Sequence, residues 1–320
     1  MIAPFKFVPY LKPVLWGGDK IAPFKGIKCD CENIGESWEI SGVPGHESVV
    51  SEGPDKGMTL PQLVDKYGES LMGKRVIERY GDTFPLLIKL IDAKKDLSVQ
   101  VHPDDALAEK RHHSLGKTEM WYIVDAGPGA KIYAGLSEKI TPEDYTRLVA
   151  EKKIMDVVAC HDSSPGDIFF LPAGRIHAIG AGNLLAEIQE TSDITYRVYD
   201  FDRRDADGNL RELHTELAKD AIDYTVYPDY KGSYDKSSKG DTDLVKCGHF
   251  DVRRVIVEGR CDVAVEPDSF VSIMCLGGEC VIHTGDVSTA MRRGETILVP
   301  ASSAASISAT GDATLLTATA

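Results

Sequence analysis

The sequence predicts a mainly β protein: two β-barrel domains, with a few helices inserted in the first. Three observations carry that prediction. Short apolar runs with a period of two, broken by Gly and Pro, recur along most of the chain. Residues 227 to 243 are poor in aliphatic side chains and hold Pro, Gly, Ser, Lys and Asp, the composition of a linker or long loop. Beyond that stretch, Gly294 to Ala305 echoes the pattern of Gly166 to His177 without a gap. The expected division is therefore residues 1–235 and 236–320. A chain of 320 residues, 42% of them hydrophobic, is long enough to fill two modest cores.

The first fifty residues read as short strands. Trp16-Gly17-Gly18 marks a turn, and Ser37-Trp38-Glu39-Ile40-Ser41 alternates. Thr59 is a fair cap for a helix toward Tyr67, in which Leu60, Leu63 and Val64 share one face. Phe84 to Ile91 is a buried strand that carries Lys89. A buried ammonium needs a partner, unless it snorkels from the strand end. Pro103-Asp104-Asp105 opens a helix with acids in its first turn, running through Lys110 to a loop at Arg111-His112-His113-Ser114. His112 and His113 are neighbours, diverge on any regular element, and read as solvent-facing.

Thr141 caps a second helix over Pro142 to Val149, and Met155 to Ala159 is strand-like. Leu184 to Glu190 alternates, with Glu187 and Gln189 on one face and Ala186 and Ile188 on the other. Periodicity alone leaves either face free to be the interior. Arg197 sits on a further strand, Ile194 to Tyr199, and Leu213 to Tyr224 has helical spacing with His214 as a structural residue. In the second domain Ala305 stands where the echo has His177, and His283 has no evident companion. That domain is therefore expected to lack a metal site and to serve packing and site closure.

The chemistry concentrates between Lys89 and His177. Gln100 and His102 are two apart in a strand-like run, so both point to one face. Glu119 precedes the apolar run Met120 to Val124, and His177 follows Gly166 to Ile176. A lone histidine on a strand is ordinarily a satisfied core or surface residue. Three strands that deliver one amide, two imidazoles and one carboxylate are a different matter. They form a donor set of oxygen and nitrogen, without sulfur, suited to a divalent metal.

Composition excludes several classes. A net charge of −14 argues against non-specific binding of nucleic acid, though not against a small phosphorylated molecule in a local basic pocket. No segment has signal-peptide or membrane-spanning character. Seven scattered cysteines, an odd number, point to reduced thiols in a cytoplasm. Cys29-Asp30-Cys31 has no second Cys or His pair at finger-like spacing and is not taken as a metal site. No nucleotide-binding glycine loop is present, which excludes a fused nucleotide transferase.

The stretches Gln100-Val101-His102-Pro103-Asp104, Gly116-Lys117-Thr118-Glu119 and Pro172-Ala173-Gly174-Arg175-Ile176-His177 resemble the type I mannose-6-phosphate isomerases in their short bacterial form, members of the cupin superfamily. The resemblance extends to Trp16-Gly17-Gly18, to Gly35-Glu36-Ser37-Trp38-Glu39 and to Ala186 through Arg197, in the family's order. It implies two cupin-like jelly-roll barrels. It implies a metal-dependent aldose–ketose isomerase that interconverts D-mannose 6-phosphate and D-fructose 6-phosphate, moving a proton between C1 and C2 through an enediol. One Zn2+ per chain is expected on Gln100, His102, Glu119 and His177, although manganese, cobalt and iron accept the same set. The resemblance places Arg197 and Lys117 at the substrate's phosphate and Lys89 toward the substrate or a ligand carboxylate. It also turns Glu187 to the interior, where it is a candidate base, with Lys117 or a metal-bound hydroxide as alternative proton carriers. The expected partner is a small phosphorylated sugar, with no nucleic acid and no membrane, for a monomer or homodimer.

Two other classes use such a scaffold. An Fe(II) cupin oxygenase has a ligand set richer in His, and Gln100 with the Lys117/Arg197 pair speaks against it. A non-catalytic sugar-binding cupin is expected to lose a ligand or Arg197, and this chain keeps them all.

Overall fold

The computed structural model describes residues 2–204, 207–266 and 268–320. Its strands pair antiparallel in three sheets. A seven-stranded sheet runs in the order Lys231–Gly232, Ile168–Leu171, Glu119–Ala126, Asn183–Glu190, Leu86–Asp92, Ile34–Ile40 and Tyr10–Gly18. A five-stranded sheet runs Tyr196–Tyr199, Val99–Val101, His177–Ile179, Lys131–Leu136 and Val158–Asp162. Side chains of both meet in one apolar cluster, with Ile91, Trp121, Ile123 and Leu185 from the first and Ile132, Ala134 and Ile179 from the second. These two sheets form the first barrel, and that cluster packs between them.

The opposite face of the seven-stranded sheet decides which way Glu187 points. Leu86, Ile88, Leu90, Met120, Ala186 and Ile188 pack outward against Phe250, Val252, Phe270, Met274, Leu298 and Leu316 of the third sheet. With a period of two, burying Ala186 and Ile188 there turns Glu187 and Gln189 into the barrel. The third sheet has eight strands. Its long ladders join Asp251–Val263, Ile307–Thr319 and Val271–Thr284, and its interior is apolar, with Val255, Val257, Ile273, Ile282, Ile297 and Leu315. Ala305 is exposed beyond a short turn, and His283 bonds to Ser288 and Thr310 hydroxyls.

Local chemistry sets the helices. Thr59 and Thr141 each form a reciprocal capping box with a Pro in the first turn, over Leu60–Tyr67 and Pro142–Ala150. Asp104 caps Asp105–His112 through the Leu107 amide at 2.8 Å, so Pro103 precedes that helix rather than opening it. Three expectations change. Ile154–Val157 is a 3-10 turn, and the strand starts only at Val158. The helix expected over 213–224 shortens to Thr215–Ala221 behind His214. The N-terminal strand Phe5–Val8 pairs with Thr296–Val299, in the third sheet. Among the described residues no helix is long and apolar enough to cross a membrane.

Candidate metal and substrate site

The ladder between Val99–Val101, His177–Ile179 and Tyr196–Tyr199 positions the site. Gln100 pairs with His177 on one side and with Arg197 on the other. His102 lies just beyond the first of these strands, and Glu119 begins its own. The three segments bring ligand atoms of His102, Glu119 and His177 within 4.8 Å of one another. His102 Nε2 is 3.5 Å from one Glu119 oxygen, and His177 Nε2 is 3.3 Å from the other.

Each imidazole is oriented through its second nitrogen. Nδ1 of His102 bonds to the Ile194 carbonyl at 2.9 Å, and Nδ1 of His177 to the Arg175 carbonyl at 2.8 Å. Carbonyl acceptors require Nδ1–H donors, which leave both Nε2 lone pairs aimed at the centre. All three residues are fully buried, yet both Nε2 atoms and both Glu119 oxygens lack a hydrogen-bond partner. Four orphaned buried polar atoms at one point are costly unless a cation satisfies them. The donor set thus fits a divalent ion. Burial, with the Glu187 charge nearby, pushes the Glu119 carboxyl up to about 8. Burial brings His177 down to about 4, and burial with the Lys117 charge holds His102 well below its usual value.

Beside this centre lies a cleft of about 340 Å³, lined by Gln100, Lys89, Lys117, Glu187, Arg197 and Arg211 among others. Lys117 is buried, with Nζ 3.5 Å from Glu119. Lys89, expected to face substrate or a ligand carboxylate, lines the cleft and is held there by its wall. Its ammonium is 3.0 Å from Glu187 and 3.7 Å from Glu36, and donates to Gln189 Oε1 at 2.8 Å. Glu187 accepts from Trp121 Nε1 at 2.8 Å. Burial alone raises its pKa, but the charges of Lys89 and Lys117 outweigh burial and set it at about 2.

Arg197 makes no ion pair with Asp193 or Asp200 among the described residues. Its Nη1 donates to the Glu212 carbonyl at 2.9 Å, and its buried Nε has no partner. Asp200 is occupied by Arg203 and Arg211. Arg211 was not singled out from the sequence. It lies in an irregular segment with no period to assign its direction, and its place in the cleft comes from its bond to Asp200, Nε to Oδ2 at 2.7 Å. The remaining candidates stand apart. His112 and His113 are exposed, and Cys29 accepts from the Cys31 amide at 3.3 Å without a third ligand among the described residues.

The comparisons with known proteins agree with one another. The family model for the catalytic domain of type I phosphomannose isomerase matches residues 5–123. The chain is 35% identical over 300 residues to the mannose-6-phosphate isomerase ManA of Bacillus subtilis, covering 93% of each. It is 33% identical over 302 residues to the mannose-6-phosphate isomerase of Streptococcus mutans, covering 94% of this chain and 93% of the relative. It superposes on the crystal structure of the Bacillus subtilis mannose 6-phosphate isomerase with a TM-score of 0.88, at 32% identity over 99% of each chain.

Proposed function

This chain belongs to the type I phosphomannose isomerase family, and we propose how its buried cluster and cleft carry out that family's reaction. The protein is a metal-dependent mannose-6-phosphate isomerase, an aldose–ketose isomerase interconverting D-mannose 6-phosphate and D-fructose 6-phosphate. The observation that carries the residue assignment is the convergence of four unsatisfied ligand atoms beside a cleft that holds Lys117 and Arg197.

His102, Glu119 and His177 hold the ion, with Gln100 as the fourth donor from the same ladder. Zinc, one per chain, suits a set of nitrogen and oxygen donors. Bound there, a divalent ion supplies a Lewis acid for the oxygens on C1 and C2 and offsets the charge that develops as the enediol forms. The chain's own residues do the rest. Arg197 lines the cleft with a guanidinium that stays charged and can take the phosphate, and Arg211 stands in the same cleft. Lys117 sits at the metal end, where C1 and C2 lie if the ion reaches their oxygens. Once its ammonium has given up a proton, its amine is placed to take the proton from C2 and return it to C1.

Glu187 is the alternative base. A carboxylate with a pKa of about 2 is a weak one, since proton transfer is most efficient near the working pH. Its bonds to Lys89 and Trp121 favour a fixed anion that keeps Lys89 in the cleft wall.

The sheets support a division near residue 235, where Lys231–Gly232 closes the seven-stranded sheet and Gly240–Lys246 opens the eight-stranded one, except that Phe5–Val8 and Val49–Val50 cross over to the eight-stranded sheet. All seven cysteines are unbridged, which supports a reducing cytoplasm. A coupled isomerase assay on the purified protein, before and after chelation and metal replacement, tests the function. Turnover of mannose 6-phosphate without oxygen uptake is expected, and substrate-dependent oxygen uptake without isomerisation would favour the oxygenase.

A further inference from the structure

A second polar cluster lies outside the cleft and joins the two domains. His249 sits in the turn between Gly240–Lys246 and Asp251–Val263, on the third sheet. Its Nδ1 is 2.8 Å from Glu190 Oε1. Glu190 is buried at the end of Asn183–Glu190, and its other oxygen accepts from the Thr118 amide at 2.7 Å. The Glu190 amide donates back to the Thr118 carbonyl at 3.1 Å. Glu190 thus holds both polar groups of one peptide residue, and that residue stands between Lys117 and Glu119.

The rest of this segment has no slack. The Gly116 amide donates to Asp105 Oδ1 at 2.8 Å, and the Lys117 amide to the Pro103 carbonyl at 3.1 Å. A Cβ on Gly116 would come 2.6 Å from the Asp105 amide nitrogen. The Thr118 hydroxyl accepts from the Ala173 amide at 3.3 Å, so the Thr118 amide is the anchor whose quality depends on where the Glu190 carboxylate is held. A buried carboxylate left without its cation turns toward water or takes a proton. The Glu190 carboxylate raises the pKa of His249 against the opposing effect of burial, and neither Glu190 Oε1 nor His249 Nδ1 has another hydrogen-bond partner.

We infer that His249, a residue of the second domain, is a positioning residue for Lys117, acting through Glu190 and the Thr118 amide. The inference rests on the role given to Lys117 above. The second domain then does more than pack: it sets the reach of one side chain in a cleft it does not line. Displacements on the order of 1 Å in such a side chain cost up to about 100-fold in rate.

A double-mutant cycle tests this, with kcat, KM, bound zinc and unfolding midpoint measured for each variant. His249→Ala should keep its zinc and lower kcat/KM by about 5- to 20-fold, while in a Lys117→Ala background it should cost less than about 2-fold, because residues that act as one unit are not additive. His249→Asn, which keeps a donor near the Nδ1 position, should recover most of the loss. Glu190→Gln, which keeps the acceptor for Thr118 but not the charge, should resemble His249→Ala and serves if that variant does not fold. Equal losses in the two backgrounds, or native kcat/KM in His249→Ala beside an impaired Lys117→Ala, would overturn the inference alone. Native kcat/KM in Lys117→Ala would remove the reading of Lys117 on which it rests.

Discussion

Gln100 and His177 stand directly opposite each other across an antiparallel ladder, and Arg197 faces Gln100 from the other side. Paired residues share a face, so one row across three strands carries an imidazole, an amide and a guanidinium. Adjacent strands are about 4.8 Å apart, so the row from His177 to Arg197 spans about 10 Å, within reach of a hexose phosphate lying between them. His102→Ala and His177→Ala should each lose metal and activity together. Gln100→Ala, which removes a neutral donor, should bind metal more weakly but still bind it. Elemental analysis after dialysis checks all three, and full metal content in both histidine variants would refute the assignment.

The phosphate is expected on Arg197. Arg197→Ala should fold, because the backbone amide that bonds His214 Nδ1 at 3.0 Å is retained. It should keep its metal and lose about 2–4 kcal/mol of transition-state binding in kcat/KM. Inorganic phosphate should inhibit the native enzyme competitively and this variant much less. Near-native kcat/KM on mannose 6-phosphate would place the phosphate elsewhere.

Metal uptake should release a proton. In the metal-free fold Glu119 keeps its proton up to about pH 8, whereas His102 and His177 are already neutral. At pH 7 about one proton per ion should leave, falling toward none above pH 9. The sign for stability follows from the same carboxyl. Its folded-state pKa lies above its unfolded value, so the metal-free protein loses stability as pH rises from about 4.5 to about 8. Calorimetry in two buffers of different ionisation enthalpy reads the proton count. No release at pH 7 would contradict the account.

The core between the seven-stranded and eight-stranded sheets should be sensitive to truncation. Ile188 and Leu298 are buried on its two sides. Either one changed to Ala should cost about 2–5 kcal/mol in denaturant unfolding, against about 1 kcal/mol for Thr141→Ala, which removes only a helix cap. Values below 1 kcal/mol for both core variants would mean the sheets do not pack as described.

Much of this was legible in the sequence. The Thr59 and Thr141 caps marked two helices. The structure brings His102, Glu119 and His177 together as the sequence suggested. The direction of Glu187 was not legible from period alone, because both faces of Leu184 to Glu190 are buried and only the partner sheet breaks the tie. The pairing of Phe5–Val8 with the third sheet, the reach of His249 and the place of Arg211 were illegible for a related reason. Each depends on contacts between segments far apart in sequence, which no local pattern records.

The most direct test of the central claim is a metal titration of the chelated protein, followed by the coupled isomerase assay. If one ion on His102, Glu119 and His177, with Gln100, carries the reaction, activity should be absent without metal. It should then rise in proportion to added zinc and level off at one equivalent per chain. Native turnover in metal-free protein, or no recovery at one equivalent, would contradict the account.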